Sequence, residues 1–292
     1  MEMKRIITTA SGFDYSLHYK IWGSENLQTI VCLAGLTGNS GDFKYVGEYL
    51  AARGYRVAAL DLAGRGESDY FNNYNDYNFE QYIHDITLFL KDIGCDEPQS
   101  CDWLGVSLGG LLGFRFAGTQ NSPVRRLMLS DIGPEVPQFD LDFIAKVIKM
   151  DVVYDAPEQA IPFMKLALGT PYSRGQLSDD QWLYFANVYL KQRADGKYIR
   201  NYDPDIVHVF EKEPLGSNGL WEYWEKITQP TLSLRGGLST LFPVKIAEQM
   251  KARKPNNKYT IITMDDSGHV PSLYREDQVE VLYKWLEGNK IL

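Results

Sequence analysis

The sequence predicts one α/β fold in which helices flank a mainly parallel sheet. Short apolar or β-branched runs alternate with longer amphipathic stretches up to about residue 134, and again from about residue 227. A serine flanked by glycines lies between a buried run and an apolar helical stretch, and the intervening block 135–226 has no convincing strand pattern. These three observations predict a single core with an inserted helical segment.

Eight segments are candidate strands: 4–9, 14–22, 29–34, 56–61, 100–106, 125–131, 230–235 and 259–264. The first two alternate polar and apolar residues, which indicates an antiparallel hairpin, whereas TIVCLA and RVAALDL are typical of strands covered on both faces. Candidate helices span 41–53, 79–94, 108–119, 243–253 and 272–287. Gly54 stands where a left-handed residue ends a helix before the next strand.

The block 135–226 contains apolar residues at helical spacing, in segments such as LDFIAKVIKM and DQWLYFANVYL. It lies between the sixth and seventh candidate strands, so it would emerge at the carboxyl edge of the sheet, where open α/β sheets bind ligands. The sequence therefore predicts a core of 1–134 and 227–292 and a helical cap of 135–226. Phe139, Phe143 and Trp182 are candidates for substrate contact within this cap.

Composition and charge exclude several classes of function. The formal net charge of −8, without a dense Lys/Arg cluster, disfavours binding to nucleic acids and to anionic membranes. No stretch approaches the roughly 18 uninterrupted apolar residues of a membrane span, and three cysteines without paired spacing indicate a reducing compartment. We therefore expect a cytoplasmic protein whose partner is a small-molecule substrate; the oligomeric state stays open.

Metal and cofactor chemistry has no support in the sequence. Four scattered histidines and the lack of paired Cys/His spacing give no metal-ligand set. Neither a phosphate-loop signature nor a dinucleotide-type glycine triplet after the first strand is present. We expect no metal and no cofactor.

The segment SCDWLGVSLGGLLG places Ser107 at a sharp turn between a buried strand and an apolar helix. Such a serine takes a strained backbone conformation, and Gly105 and Gly109 remove the β-carbons that would collide where strand and helix approach. The hydroxyl then stands at a helix N-terminus, where backbone N–H groups stabilise a developing oxyanion. Ser107 is the candidate nucleophile.

His269 is the candidate general base. It follows the last candidate strand in the loop DDSGHVPSL, at the same sheet edge as Ser107, and the order serine then histidine suits this topology. The other histidines lie in a hairpin strand, an amphipathic helix and the insertion: His18, His84 and His208. For the oxyanion, Leu108 offers one backbone N–H, and Leu36 in LAGLTGNSGDF offers a second.

The chain resembles α/β-hydrolases of the cofactor-free esterase, lactonase and C–C hydrolase type. The similar stretches are LAGLTGNSGDF, ARGYRVAALDLAGRGESD, WLGVSLGGLLG, LMLSDIGPEV, TLSLRGGLS and DSGHVPSL, in order from about residue 29 to the C-terminus. The resemblance implies the α/β-hydrolase fold: a mostly parallel eight-stranded sheet flanked by helices, with a helical cap after strand 6. It also implies that Ser107, His269 and the backbone of Leu36 and Leu108 occupy the family's catalytic positions.

The acid of the triad departs from the family's pattern. The family carries it after the seventh strand, where RGGLSTLF places Thr240, whose hydroxyl cannot offer a full negative charge to an imidazolium. The best replacement is Asp131, at the predicted end of the sixth strand, which adjoins the strand of Ser107 in this fold. An alternative role for Asp131 is to hydrogen-bond the turn that begins the cap.

The expected reaction is hydrolysis of a carboxylic ester or related acyl bond of a small, largely apolar substrate through an acyl-enzyme. Two alternatives stay open. The same scaffold serves C–C bond hydrolases and lactonases. Because the acid position is altered, the chain is also a candidate ligand-binding or vestigial hydrolase with little turnover.

Overall fold

The computed structural model describes residues 1–165, 177–213, 215, 219–254 and 258–288. Its strands are β1 (Glu2–Ala10), β2 (Phe13–Trp22), β3 (Gln28–Leu33), β4 (Tyr55–Leu60), β5 (Cys101–Val106), β6 (Val124–Ser130), β7 (Leu190–Gln192), β8 (Tyr198–Arg200), β9 (Thr231–Gly236) and β10 (Tyr259–Met264). Its helices are α1 (Lys44–Ala51), α2 (Phe79–Asp92), α3 (Leu108–Ala117), α4 (Gln138–Ile148), α5 (Ile161–Met164), α6 (Asp179–Tyr189), α7 (Val209–Lys212), α8 (Trp221–Lys226), α9 (Val244–Ala252) and α10 (Glu276–Leu286).

In the described part of the chain, eight strands form one sheet in the order β1-β2-β4-β3-β5-β6-β9-β10. β1 pairs with β2 and β2 with β4 in antiparallel fashion, and every later pair in the sheet is parallel. This confirms the predicted fold class, including the N-terminal hairpin. Because the parallel strands run the same way, the loops that follow β3, β5, β6, β9 and β10 meet at one edge of the sheet.

The centre of the sheet is fully covered. Every residue of β5 is buried, and so are all residues of β3 after its first. α3 packs on β5 and β6, and the indole N–H of Trp103 donates to the carbonyl of Gly109 at 3.0 Å, which ties the strand to the helix that follows it. The turn between β5 and α3 is therefore fixed on both sides by buried structure.

The segment 135–226 contains α4 to α8, as the sequence predicts, but it also contains strands. β7 and β8 form an antiparallel hairpin, paired from Leu190 with Arg200 to Gln192 with Tyr198. Each strand is three residues long, which is too short for an alternating pattern to be recognised. The feature of the sequence that could have predicted this hairpin is the Asp-Gly pair in its turn, where Gly196 takes a φ of 82°.

One predicted helix begins later than expected. The interval 272–287 was expected to be helical, but α10 begins at Glu276. Leu273 takes a φ of 56°, which a helix does not allow, and its N–H donates to the side chain of Gln278 at 2.9 Å. The described helices include none with the length and apolar character needed to cross a membrane. The division into a core and a cap stays a prediction.

Gly109 offers a test of the packing beneath the turn. A β-carbon at this position would lie 2.6 Å from the carbonyl carbon of Leu33 in β3. We expect Gly109→Ala to lower the free energy of unfolding by about 1 to 3 kcal/mol or more, because rigid backbone has to move. Urea unfolding followed by circular dichroism measures the change.

The matched control is Gly196→Asn in the hairpin turn, where a β-carbon meets no atom within 4 Å. Asparagine tolerates a left-handed backbone better than most residues with a side chain, so this variant should lose about 1 kcal/mol at most and less than Gly109→Ala. Equal stability of Gly109→Ala and the control would contradict the described contact between α3 and β3.

Candidate active site

Ser107 lies between the last residue of β5 and the first residue of α3, with φ 49° and ψ −112°. This left-handed backbone is strained for a residue with a side chain. It is held by backbone contacts: the Ser107 N–H donates to the carbonyl of Ser130 at 3.2 Å, and the Gly109 N–H donates to Ala34 at 3.1 Å. A β-carbon at Gly105 would lie 2.5 Å from the amide nitrogen of Gly110, so the close approach requires glycine there.

The structure brings together Ser107, His269 and Asp131 from three different loops. His269 Nε2 lies 3.1 Å from Ser107 Oγ, and His269 Nδ1 lies 2.8 Å from Asp131 Oδ2. The two contacts use opposite nitrogens of the ring, so the imidazole can accept the serine proton while its other N–H is held by the carboxylate. This is the geometry required of a nucleophile, a base and an orienting acid.

Asp131 follows β6 directly and also has a left-handed backbone, with φ 51°. Its side chain has no exposed surface. Oδ1 accepts the N–H of Gly236 at 2.7 Å, and Oδ2 accepts the hydroxyl of Ser239 at 2.5 Å. These bonds replace the hydration that a buried charge loses. Sequence reasoning missed Ser239, although it directly precedes the anomalous Thr240.

Among the described residues, no hydrogen bond joins Thr240 to His269. The Thr240 hydroxyl donates to Asp140 Oδ1 at 2.7 Å, which joins the loop after β9 to the start of α4. In the family that the chain resembles, this position carries the acid of the triad. Here its side chain instead joins the loop after β9 to a helix of the segment 135–226.

The loop after β3 lies beside Ser107. A β-carbon at Gly35 would be 3.5 Å from Ser107 Cβ. The carbonyl of Leu36 accepts the Nε–H of the fully buried Arg65 at 2.8 Å. Within the described residues, the N–H groups of Leu36 and Leu108 donate to no backbone or side-chain acceptor. Their role as donors to an oxyanion stays a prediction.

Asp61 follows β4 and forms hydrogen bonds that stabilise this loop. Oδ1 accepts the Ser40 N–H at 2.5 Å, and Oδ2 accepts the Glu67 N–H at 3.0 Å. Burial raises the pKa of Asp61 above its ordinary value, and the two backbone N–H groups oppose the rise. The contacts are those of a residue that orders loops rather than one that meets substrate.

Ser107 and His269 line a cavity of about 500 Å³. Its walls are mainly apolar, and the segment 135–226 supplies much of them, including Phe139, Phe143, Ile144, Val147, Ile148 and Phe163. Phe139 is 78% exposed and Phe143 is 55% exposed, so these two rings stand at the rim. A small ligand of largely apolar character fits such a site.

Trp182, the third expected substrate contact, is absent from the described cavity wall. It is buried in a separate cluster on α6, where its ring meets the Phe185 ring edge to face at a centroid distance of 5.9 Å. Trp182 is a candidate because it is an aromatic residue of the insertion, but in the structure its ring packs against other residues of that segment.

Polar groups in the cavity wall escaped the sequence analysis. The carboxylate of Asp42 accepts the hydroxyl of Tyr189 at 2.7 and 2.8 Å and that of Tyr274 at 3.3 Å. Arg200, at the end of β8, also lines the cavity. Asp42 lies in the stretch LAGLTGNSGDF but nothing there marks its side chain as part of the cavity wall, and Arg200 lies in no motif. Among the described residues, no group of three or more His, Cys, Asp or Glu side chains could hold a metal ion.

Comparisons with known proteins agree with this fold. Residues 28–276 match the model of a family described as alpha/beta hydrolase fold. The structure of a hydrolase from Rickettsia typhi, called putative in its description, superposes with a TM-score of 0.87 at 26% identity, covering 99% of this chain and 100% of that one.

Two curated relatives are enzymes by name. The chain is 29% identical over 94% of both lengths to a 3-hydroxybutyrate-oligomer hydrolase of Cupriavidus necator. It is 24% identical to a pimeloyl-[acyl-carrier protein] methyl ester esterase of Vibrio atlanticus, covering 76% of this chain and 80% of that one.

The contact between Ser107 and His269 predicts a reactive serine. A fluorophosphonate should label the protein at a stoichiometry of about one, and mass spectrometry should place the label on Ser107. Ser107→Ala should abolish labelling, and His269→Ala should slow it strongly because no base remains to take the proton. Ser272→Ala, which changes a buried serine in the same wall, is the control. Labelling that persists in Ser107→Ala would contradict the assignment.

Proposed function

The chain belongs to the alpha/beta hydrolase fold family, and we propose that it is a serine hydrolase that cleaves a carboxylic ester of a small, largely apolar substrate through an acyl-enzyme. The observation that carries this proposal is the continuous set of contacts from Ser107 through His269 to Asp131 in the wall of one cavity. The segment 135–226 acts as the cap that covers the substrate.

In the acylation step, His269 Nε2 takes the proton of Ser107 while Oγ forms a bond to the ester carbonyl carbon. The carbonyl oxygen becomes an oxyanion, which accepts the N–H groups of Leu36 and Leu108. The imidazolium then gives its proton to the leaving alkoxide as the carbon–oxygen bond breaks, and the alcohol departs. Asp131 holds the Nδ1–H throughout and stabilises the charge on the ring.

In the deacylation step, a water molecule takes the place of the alcohol. His269 removes a proton from the water as its oxygen attacks the acyl-enzyme, and the same two N–H groups hold the second oxyanion. The proton returns to Ser107 Oγ when the carboxylic acid leaves. The arrangement of one base between nucleophile and acid serves both steps without any further group.

The cavity and the relatives support the proposed substrate class. About 500 Å³ of mainly apolar space holds a short acyl chain together with a short alcohol. A relative that matches along 94% of its length is named for hydrolysis of 3-hydroxybutyrate oligomers, which are esters of a short hydroxy acid. We therefore place short oligoesters of hydroxy acids first among the substrates and simple short-chain esters second.

The alternative of a vestigial, ligand-binding protein rested on the missing acid at Thr240. The 2.8 Å contact between Asp131 and His269 weighs against it, because the base has an acid from another strand. C–C bond cleavage or lactone opening uses the same triad, so a substrate panel has to separate these reactions.

The acid assignment predicts the kinetics of amide variants. Asp131→Asn should lower kcat for 4-nitrophenyl butyrate by on the order of 10³ to 10⁴-fold, because a neutral amide cannot hold the imidazolium. The panel also contains a linear 3-hydroxybutyrate trimer, a lactone and a β-diketone, and the trimer should give the highest kcat/KM.

Asp265→Asn is the matched control, since it makes the same change at an exposed carboxylate four residues before His269. It should retain kcat within a factor of about two. Retention of kcat in Asp131→Asn together with a large gain in Thr240→Asp would overturn the role of Asp131. Faster cleavage of the β-diketone than of every ester would overturn the ester assignment.

A further inference from the structure

Arg200 is the one lysine or arginine in the described wall of the active-site cavity. It ends β8, the second strand of the hairpin that the sequence analysis missed. Its guanidinium carbon lies 5.7 Å from the ring centroids of both Phe163 and Tyr202, which also line the cavity. A permanent positive charge is therefore placed in an otherwise mainly apolar pocket.

The hydrogen bonds of Arg200 leave one edge of the guanidinium unused. Nη1 donates to the carbonyls of Val147 and Ile148 at 2.6 and 3.3 Å and to the Tyr202 hydroxyl at 2.5 Å. These bonds fix the group against the last turn of α4. Nη2 is buried and has no hydrogen-bond partner among the residues that the structure describes. Leaving both N–H groups of a buried cationic nitrogen without an acceptor costs free energy. A ligand that supplies an acceptor would remove this cost.

No carboxylate among the described residues forms an ion pair with Arg200. Of the two carboxylates in the cavity wall, Asp42 accepts the hydroxyls of Tyr189 and Tyr274, and Asp140 accepts the hydroxyl of Thr240. Asp140 lies near the first turn of α4, whereas Arg200 is bonded to the last turn of that helix.

A carboxylate is the acceptor that suits an arginine edge best, because two oxygens can meet parallel N–H groups. We propose that Arg200 binds a free carboxylate of the substrate, remote from the scissile ester, and so selects esters whose acid or alcohol part ends in a carboxylate. This rests on the proposed function and narrows it: linear hydroxy-acid oligomers have such an end, and simple neutral esters do not.

Two matched substrate pairs test the proposal. The first is 3-(butanoyloxy)butanoate and its carboxamide, which place the group on the alcohol side. The second is the 4-nitrophenyl esters of glutaric acid and of glutaramic acid, which place it on the acyl side. Each pair differs only in charge at the remote end. kcat and KM are measured for wild type, Arg200→Gln and Arg200→Lys, after subtraction of the uncatalysed rates.

In at least one pair, wild type should prefer the carboxylate by about 10- to 100-fold in kcat/KM, mainly through KM. Arg200→Gln should bring that ratio to about one, and Arg200→Lys, which keeps a positive charge, should retain part of it. Arg193→Gln removes the charge of an exposed arginine on the same hairpin and should keep the wild-type ratio.

Three outcomes would overturn the proposal: a wild-type ratio of one or less in both pairs, a ratio that survives in Arg200→Gln, or a loss in that variant that is equal for both members of a pair. The last is what a purely structural role at the end of α4 would give. If Arg200→Gln does not fold, the wild-type ratios and Arg200→Lys decide. Hydrolysis of 4-nitrophenyl butyrate, absent in Ser107→Ala, reports on the proposed function separately, so either hypothesis can fail alone.

Discussion

The buried carboxylate of Asp131 is the interaction on which the arrangement of the site depends. A charge without exposed surface is costly unless hydrogen bonds replace its hydration. Here the replacements come from Gly236 at the end of β9, from Ser239 in the loop after β9 and from His269 in the loop after β10. One side chain after β6 thus fixes two other segments at the same sheet edge. The position of the imidazole beside Ser107 follows from this, because the Nδ1 contact sets where Nε2 points.

The strand order explains how a carboxylate after β6 reaches the histidine after β10. β6 lies between β5 and β9, and neighbouring strands are about 4.8 Å apart. Asp131 is therefore one strand from Ser107 and one strand from β9. The end of β9 and the loop after it join the same hydrogen-bond network, because they donate an N–H and a hydroxyl to this carboxylate. Thr240 in that loop contacts Asp140 on α4 instead.

The parts of this molecule that the sequence could predict are those with a local signature. Short stretches of sequence are enough to predict the buried strands, the role of the glycines that flank Ser107 and the position of His269 after the last strand. Asp131 required knowledge of which strands are neighbours, so an alternative role in the turn stayed open. Trp182 is an aromatic residue of the insertion, and the residue type alone cannot tell a ring that lines the cavity from one that packs inside the segment. Arg200 carried no signal, since its neighbours Val147 and Phe163 are distant in the chain.

The segment 135–226 forms two parts of the cavity wall, and these parts are attached to the rest of the fold in different ways. Its later part is tied to core loops by backbone: the Gly66 N–H donates to Asn201 at 3.2 Å, and the Asp203 N–H donates to Gly64 at 2.8 Å. α4 instead presents exposed aromatic rings at the rim. Apolar contacts are non-directional and tolerate small shifts, whereas hydrogen bonds to a charged group demand fixed geometry. The guanidinium of Arg200 therefore needs both attachments: it lies on the anchored hairpin and donates to carbonyls of the last turn of α4, while the exposed rings at the start of α4 require no such fixed geometry.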